Sequence, residues 1–187
     1  MRVIAGTYGG RRLHAPRGPA TRPTSDRVRE ALFSMLAAAS PGIEDAVVLD
    51  LFAGTGALAI EALSRGAARA VLVERDPRAL EALMANLAEL GLGAEETEVR
   101  RADARAVLRD ASAGAETYDL VFVDPPYRHA GVLGRELREA LPPLLGPGAR
   151  VVTESDRRNE LALCSPLLVV EQQRRYGDTL ITIQRRR

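Results

Sequence analysis

Val47-Val-Leu-Asp-Leu-Phe-Ala-Gly-Thr-Gly-Ala-Leu-Ala-Ile-Glu61 sets an apolar run, a glycine loop and a helical run end to end, and few folds accept that order. The apolar run, stopped by Asp50 and the glycines, reads as a strand buried on both faces, and the alanine- and leucine-rich stretch after Gly56 reads as a helix packed on it. The pattern then repeats. Strands are expected over residues 47–52, 70–74, 98–101, 120–123 and 151–154, with helices over 57–65, 77–90, 104–110 and 132–145 between them. Alternation of that kind gives a parallel sheet covered by helices on both faces.

Two segments stand outside the alternation. Residues 167–173 and 179–184 are strand-like runs joined by Arg174-Arg-Tyr-Gly-Asp178, too short for a crossover helix, so they pair as an antiparallel hairpin. The expected fold is therefore α/β and Rossmann-like: a seven-stranded, mostly parallel sheet with a C-terminal antiparallel hairpin strand. At the other end, residues 2–5 and 11–14 flank Tyr8-Gly9-Gly10 as a small hairpin. A helix follows, capped by Ser25 or Asp26, with Val28, Leu32, Met35 and Leu36 as its apolar stripe. The chain of 187 residues thus divides into an extension, 1–42, packed on a core, 43–187.

The loop itself implies a ligand. Gly54 and Gly56 let the backbone turn sharply, and the helix after them aims free N–H groups and a positive dipole end outward. Glu74 ends the next strand, 20 residues after Gly54, where an acid accepts from ribose hydroxyls. A nucleoside cofactor follows from that pair. Gly54, Gly56 and Ala59 loosely satisfy the dinucleotide pattern, but Asp50 beside the loop repels a pyrophosphate and attracts a cation. S-adenosylmethionine, which brings an amino group and a sulfonium, is the better match. Asp103, after the third strand, suits an adenine amine, a helix N-cap, or both.

Asp124-Pro-Pro-Tyr127 ends the fourth strand at the carboxyl edge, where doubly wound sheets bind ligands. Prolines lack an amide hydrogen and have a fixed φ, so the loop is rigid and leaves a carbonyl acceptor without a competing donor. A planar base with an exocyclic amine would use the Asp124 carboxylate, that carbonyl and the Tyr127 ring together. The motif leaves the amine open among adenine N6, cytosine N4, guanine N2 and a glutamine side chain.

Composition closes other routes. All 26 basic residues are arginine, which excludes a phosphate-loop lysine, a Schiff base and a lysine general base. Cys164 is alone, and with only His14 and His129 beside it no metal is expected. Apolar runs stop well short of the ~18 residues of a membrane span, and residues 1–16 carry arginine and glycine where a signal peptide has its apolar block, so a cytoplasmic protein is expected. The net charge of +1 is unevenly spread: +6 over residues 1–29, +4 over 174–187 and −9 between. Arginine-rich flanks suit a polyanion, or serve solubility alone.

Asp50-Leu-Phe-Ala-Gly-Thr-Gly56, Val71-Leu-Val-Glu-Arg-Asp76 and Val121-Phe-Val-Asp-Pro-Pro-Tyr127 resemble the class I S-adenosylmethionine-dependent methyltransferases that act on amino groups. The flanking Arg22-Pro-Thr-Ser-Asp-Arg-Val-Arg-Glu-Ala-Leu-Phe33, Glu61-Ala-Leu-Ser-Arg-Gly-Ala67 and Tyr176-Gly-Asp-Thr179 are similar to the RsmD family, bacterial 16S rRNA guanine-N2 methyltransferases. The similarity covers nearly the whole chain. It implies methylation of one guanine N2 in an assembled or partly assembled small ribosomal subunit; separately, a monomer is expected. It also implies cofactor contacts at Asp50, Gly54, Gly56, Glu74 and Asp103, and catalysis at Asp124, Pro125, Pro126 and Tyr127; the neighbouring Phe52, Ala53, Thr55, Arg75 and Ala104 are expected to complete the cofactor surface. Arg11, Arg12, Arg22 and Thr24 are the expected RNA contacts.

Overall fold

The structure, a computed structural model, describes residues 1–16, 25–111, 116–125, 130–156, 161, 163 and 165–187. Five strands run parallel, β1 (Val47–Asp50), β2 (Arg69–Glu74), β3 (Thr97–Arg101), β4 (Tyr118–Val123) and β5 (Leu145–Asp156), and β6 (Leu168–Tyr176) and β7 (Thr179–Arg186) complete the sheet. Their order is β3-β2-β1-β4-β5-β7-β6, with β7 antiparallel to both β5 and β6. The sheet has the seven strands, and the antiparallel close, expected from sequence. Strand order reverses between β1 and β4, which opens a crevice at their carboxyl ends.

Alternate residues of each strand feed two cores. Val48, Leu72, Phe122, Val152 and Ile183 pack with α1 (Asp26–Ala37), α2 (Ala57–Ser64) and α3 (Pro77–Leu90). Leu49, Val71, Val73, Val121 and Val151 face α4 (Ala104–Ala111) and α5 (Ala130–Ala140). Among the described residues no helix is long and apolar enough to cross a membrane.

Boundaries moved where proline or pairing overruled pattern. The helix expected to reach residue 145 stops at Ala140, and Pro142–Leu144 forms a 3-10 turn, because consecutive prolines supply no N–H to continue an α-helix. β5 begins at Leu145 and runs to Asp156, extended by seven register pairs with β7 from Arg150↔Arg185 to Asp156↔Thr179. Tyr176 pairs with Thr179, so the β6–β7 turn is only Gly177-Asp178.

The N-terminal segment closes as a loose hairpin with one isolated bridge, Arg2↔Arg12, and Val3 N–H donating to Arg11 O at 2.9 Å. Polar groups on α2 hold it. The fully buried Glu61 carboxylate accepts from Ile4 N at 2.7 Å, Ala5 N at 3.1 Å and Arg65 Nε at 2.7 Å. Ser64 Oγ accepts from Tyr8 N at 2.9 Å and donates to Ala5 O at 2.5 Å. α1 is capped by Ser25, whose side chain accepts from Val28 N, and its buried Arg29 donates to Arg2 O and to Asp26 Oδ1. Val3 and Leu13 join the first core.

Candidate active site

Strand register sets the acids along one edge. β1 and β4 are paired at Asp50↔Phe122, and Leu51 N–H donates to Phe122 O at 3.1 Å, so Asp50 and Asp124 end neighbouring strands. On the other flank Glu74 pairs with Arg101, two residues before Asp103. Asp103, Glu74, the glycine loop and Asp124 therefore follow one another across the carboxyl edge of β3, β2, β1 and β4.

The glycine loop is built from beneath. Ala53 N–H donates to Val73 O at 3.0 Å and Gly56 N–H to Ala53 O at 2.7 Å. Gly56 has φ +83°, and a Cβ there would lie 2.5 Å from Leu83 Cδ1 and 3.1 Å from Ile60 Cδ1, so this glycine lets the loop sit down on α3 and α2. Gly54 also has positive φ, +57°, but a Cβ there would meet only Phe52 O, at 4.0 Å. That side of the loop is open. Gly56→Ala should therefore cost at least ~2 kcal/mol of stability through overpacking and backbone strain; a melting midpoint within a degree of wild type would show that the contact with Leu83 is not tight.

Asp50 is 1% exposed, and neither carboxylate oxygen has a hydrogen-bond partner among the described residues. Burial pushes its carboxyl up to about 7; the Phe52 and Ala59 amides oppose this without forming well-aligned bonds, and Glu74 adds to it. A buried acid without well-aligned donors, beside an open glycine loop, suits a cationic ligand.

Glu74 is half-buried and its carboxylate already binds three amides: Gly54 N at 2.8 Å through Oε2, and Arg75 N at 2.7 Å and Asp76 N at 2.8 Å through Oε1. It thus ties the loop to β2, with capacity left for a further donor. Asp103 caps α4 by accepting from Arg105 N at 2.9 Å and pairs with Arg75 Nη1 at 2.7 Å. That amide, with the Arg75 charge, holds its carboxyl below the usual range against the opposing effect of partial burial. Arg75 is exposed, and Ala104, the first residue of α4, is buried. Phe52 is half-buried against the second core, Ala53 is buried, and Thr55 is half-exposed.

Asp124 is half-buried and Pro125 buried, directly after β4. Pro126, Tyr127, Arg22 and Thr24 lie outside the described residues. Arg11 and Arg12 are exposed on the N-terminal segment, away from the sheet edge in sequence but brought to α3: Arg11 Nη2 donates to Glu89 O at 3.0 Å. A cavity of about 230 Å³, lined by Leu36, Ile43, Asp119, Gly148 and Arg150 among others, opens at the opposite, amino edge of β1 and β4 and contains none of these acids.

Three residues of this assembly were not anticipated: Glu61, Ser64 and Asn86. Each is a buried polar side chain in an otherwise apolar helix face. Asn86, between Leu83 and Leu87, joins His14 to the glycine loop through Thr55 O at 2.9 Å.

A reversed parallel sheet with a glycine loop after β1, acids after β2 and β3, and Asp-Pro after β4 defines a class I S-adenosylmethionine-dependent methyltransferase, and the unpartnered Asp50 and open Gly54 fit that cofactor. A family model described as conserved hypothetical protein 95 matches residues 1–185. The chain belongs to this family, that of the RsmD methyltransferases. It is 36% identical, over the full length of both chains, to YlbH of Bacillus subtilis, provisionally named an rRNA methyltransferase. It is 47% identical to the ribosomal RNA small subunit methyltransferase D of Escherichia coli K12, over 68% of this chain and 61% of that protein. A solved structure of Escherichia coli yhhF, provisionally described as a methyltransferase, superposes with a TM-score of 0.82 at 36% identity, covering 100% of this chain and 97% of that one.

Proposed function

We propose that this chain methylates the exocyclic N2 amine of a guanine in 16S rRNA, using S-adenosylmethionine, and that it does so as a cytoplasmic monomer on an assembled or partly assembled small subunit. The observation that carries the reading is the strand pairing that sets Asp124-Pro125 beside the loop headed by the unpartnered Asp50. The relatives named as small-subunit rRNA methyltransferases support the choice of substrate.

The cofactor supplies an electrophilic methyl group on a sulfonium. Asp50 gives the loop the negative charge that holds a cationic ligand, Gly54 leaves it room, Glu74 accepts from ribose hydroxyls, and Asp103 accepts from the adenine amine. Phe52, Ala53, Thr55, Gly56, Arg75 and Ala104 complete that surface. Asp124, with the carbonyl of the Asp124-Pro125 peptide, accepts from the guanine amine, whose lone pair is otherwise conjugated into the ring. Two acceptors turn that lone pair toward the methyl group, so the gain comes from position and electrostatics. Tyr127 stacks on the extruded base, typically worth ~1–3 kcal/mol, and Pro126 keeps the loop rigid.

S-adenosylmethionine and its demethylated product should raise the melting temperature, and nicotinamide dinucleotides should not; the reverse pattern would overturn the cofactor. Arg11, Arg12, Arg22 and Thr24 guide the RNA. Replacing Arg11 and Arg12 together with alanine should weaken binding to small subunits and reduce the slope of log K against log salt by roughly 1.5, about 0.7–0.9 for each phosphate no longer neutralised. An unchanged slope would remove these two arginines from the interface.

A further inference from the structure

Asn86 occupies a position that neither cofactor nor RNA binding explains by itself. It is 1% exposed on α3, one turn from the Leu83 that supports Gly56. Its Oδ1 accepts from His14 N at 2.6 Å, and its Nδ2 donates both to His14 O at 3.2 Å and to Thr55 O at 2.9 Å. Both amide hydrogens and the carbonyl are used. One side chain thus holds the backbone of the N-terminal segment on one side and the glycine-loop carbonyl between Gly54 and Gly56 on the other.

What hangs from each side differs. Arg11 and Arg12 stand three and two residues before the His14 anchor, and α3 reinforces the same stretch one turn later: Glu89 pairs with Arg11 at 3.8 Å and lies 2.8 Å from His14 Nε2. On the other side, the Thr55-Gly56 peptide sets the turn from which Gly56 N–H reaches Ala53 O. A buried amide that is fully satisfied only when both backbones are in place links their two orders, because releasing either one leaves a buried polar group unpaired.

We propose that Asn86 is a positioning residue that couples the two binding events. Ordering of the glycine loop by S-adenosylmethionine stabilises the docked N-terminal segment, and RNA held by that segment stabilises the loop. The inference rests on the cofactor and RNA reading above. Coupling between sites is reciprocal, so each ligand must tighten the other by the same factor.

The test is the dissociation constant of S-adenosylmethionine measured by calorimetry, with and without saturating unmodified small subunits, for wild type and Asn86→Leu. Wild type is expected to bind the cofactor about 5- to 20-fold tighter with subunits present, within the usual range of coupling, and Asn86→Leu to show a ratio near one while still binding each partner. A purely structural role would lower the melting temperature and leave the ratio unchanged, which would overturn the proposal, as would a wild-type ratio of one. Failure of wild type to bind either ligand would instead overturn the functional reading. Hydrogen exchange on the wild-type chain decides the matter even if the variant does not fold. Adding S-adenosylmethionine alone should slow exchange of the His14 amide severalfold, and an unchanged rate would overturn the coupling.

Discussion

Asp124→Ala should lower kcat for methyl transfer by about 10²–10³-fold or more, the usual cost of deleting one group aimed at developing charge, while S-adenosylmethionine binds within a few-fold of wild type. The two quantities separate because Asp124 ends β4, whereas the loop and the acids of the proposed cofactor surface follow β1, β2 and β3. Its neighbour Pro125 is buried, so the backbone of the turn should survive loss of the carboxylate. Single-turnover transfer and equilibrium dialysis on the same preparation give both numbers. Residual transfer near wild type, or loss of cofactor binding in step with activity, would take the catalytic role away from this residue.

Asp50→Asn should move stability and binding in opposite directions. In the cofactor-free protein the Asp50 carboxyl is raised from 3.8 to about 7 by burial. The folded state then holds this proton more tightly than the unfolded state does, so stability is full below about pH 4 and falls as pH rises through about 7. The loss is on the order of 4 kcal/mol by pH 8. An asparagine carries no charge to desolvate. Asp50→Asn should therefore be more stable than wild type by a few kcal/mol at pH 8, and should lack the decline between pH 4 and 7. Its affinity for S-adenosylmethionine should fall at least ~100-fold if, as proposed, this anion offsets the cofactor's positive charge. Denaturant titrations at pH 5 and pH 8 with binding isotherms separate the two effects. A variant less stable than wild type at pH 8 would mean that the carboxylate is satisfied in the free protein.

Much of this architecture could be read from residue order because burial and chemistry coincide in it. Apolar runs without alternation at 47–50, 70–73 and 120–123 left no choice but strands covered on both faces, and Asp50, Glu74 and Asp124 were legible as acids ending them. Asp103 proved to cap α4 and to pair with Arg75, contacts that sequence spacing allows without selecting. Glu74 binding the amide of Gly54 was not legible, since it needs the register of β1 on β2. Glu61, Ser64 and Asn86 carried a signal, a polar residue in an apolar helix face, but their partners lie 31 to 72 residues away. Long-range hydrogen bonds to backbone have no periodicity. The early end of α5 has a simpler cause: the apolar pattern continues to residue 145, but Pro142-Pro143 supply no amides to extend an α-helix.

The most direct measurement is transfer of isotope-labelled methyl from S-adenosylmethionine to small ribosomal subunits of a strain lacking this protein, with nuclease digestion and identification of the labelled nucleoside by mass. Label is expected in a single guanosine derivative, methylated at N2, in 16S rRNA, and it should appear at least about 100-fold more slowly when Asp124→Ala replaces the wild-type chain. Label in adenosine, cytidine or ribosomal protein, or no transfer at all by a chain that binds the cofactor, would contradict guanine-N2 methylation as the function of this site.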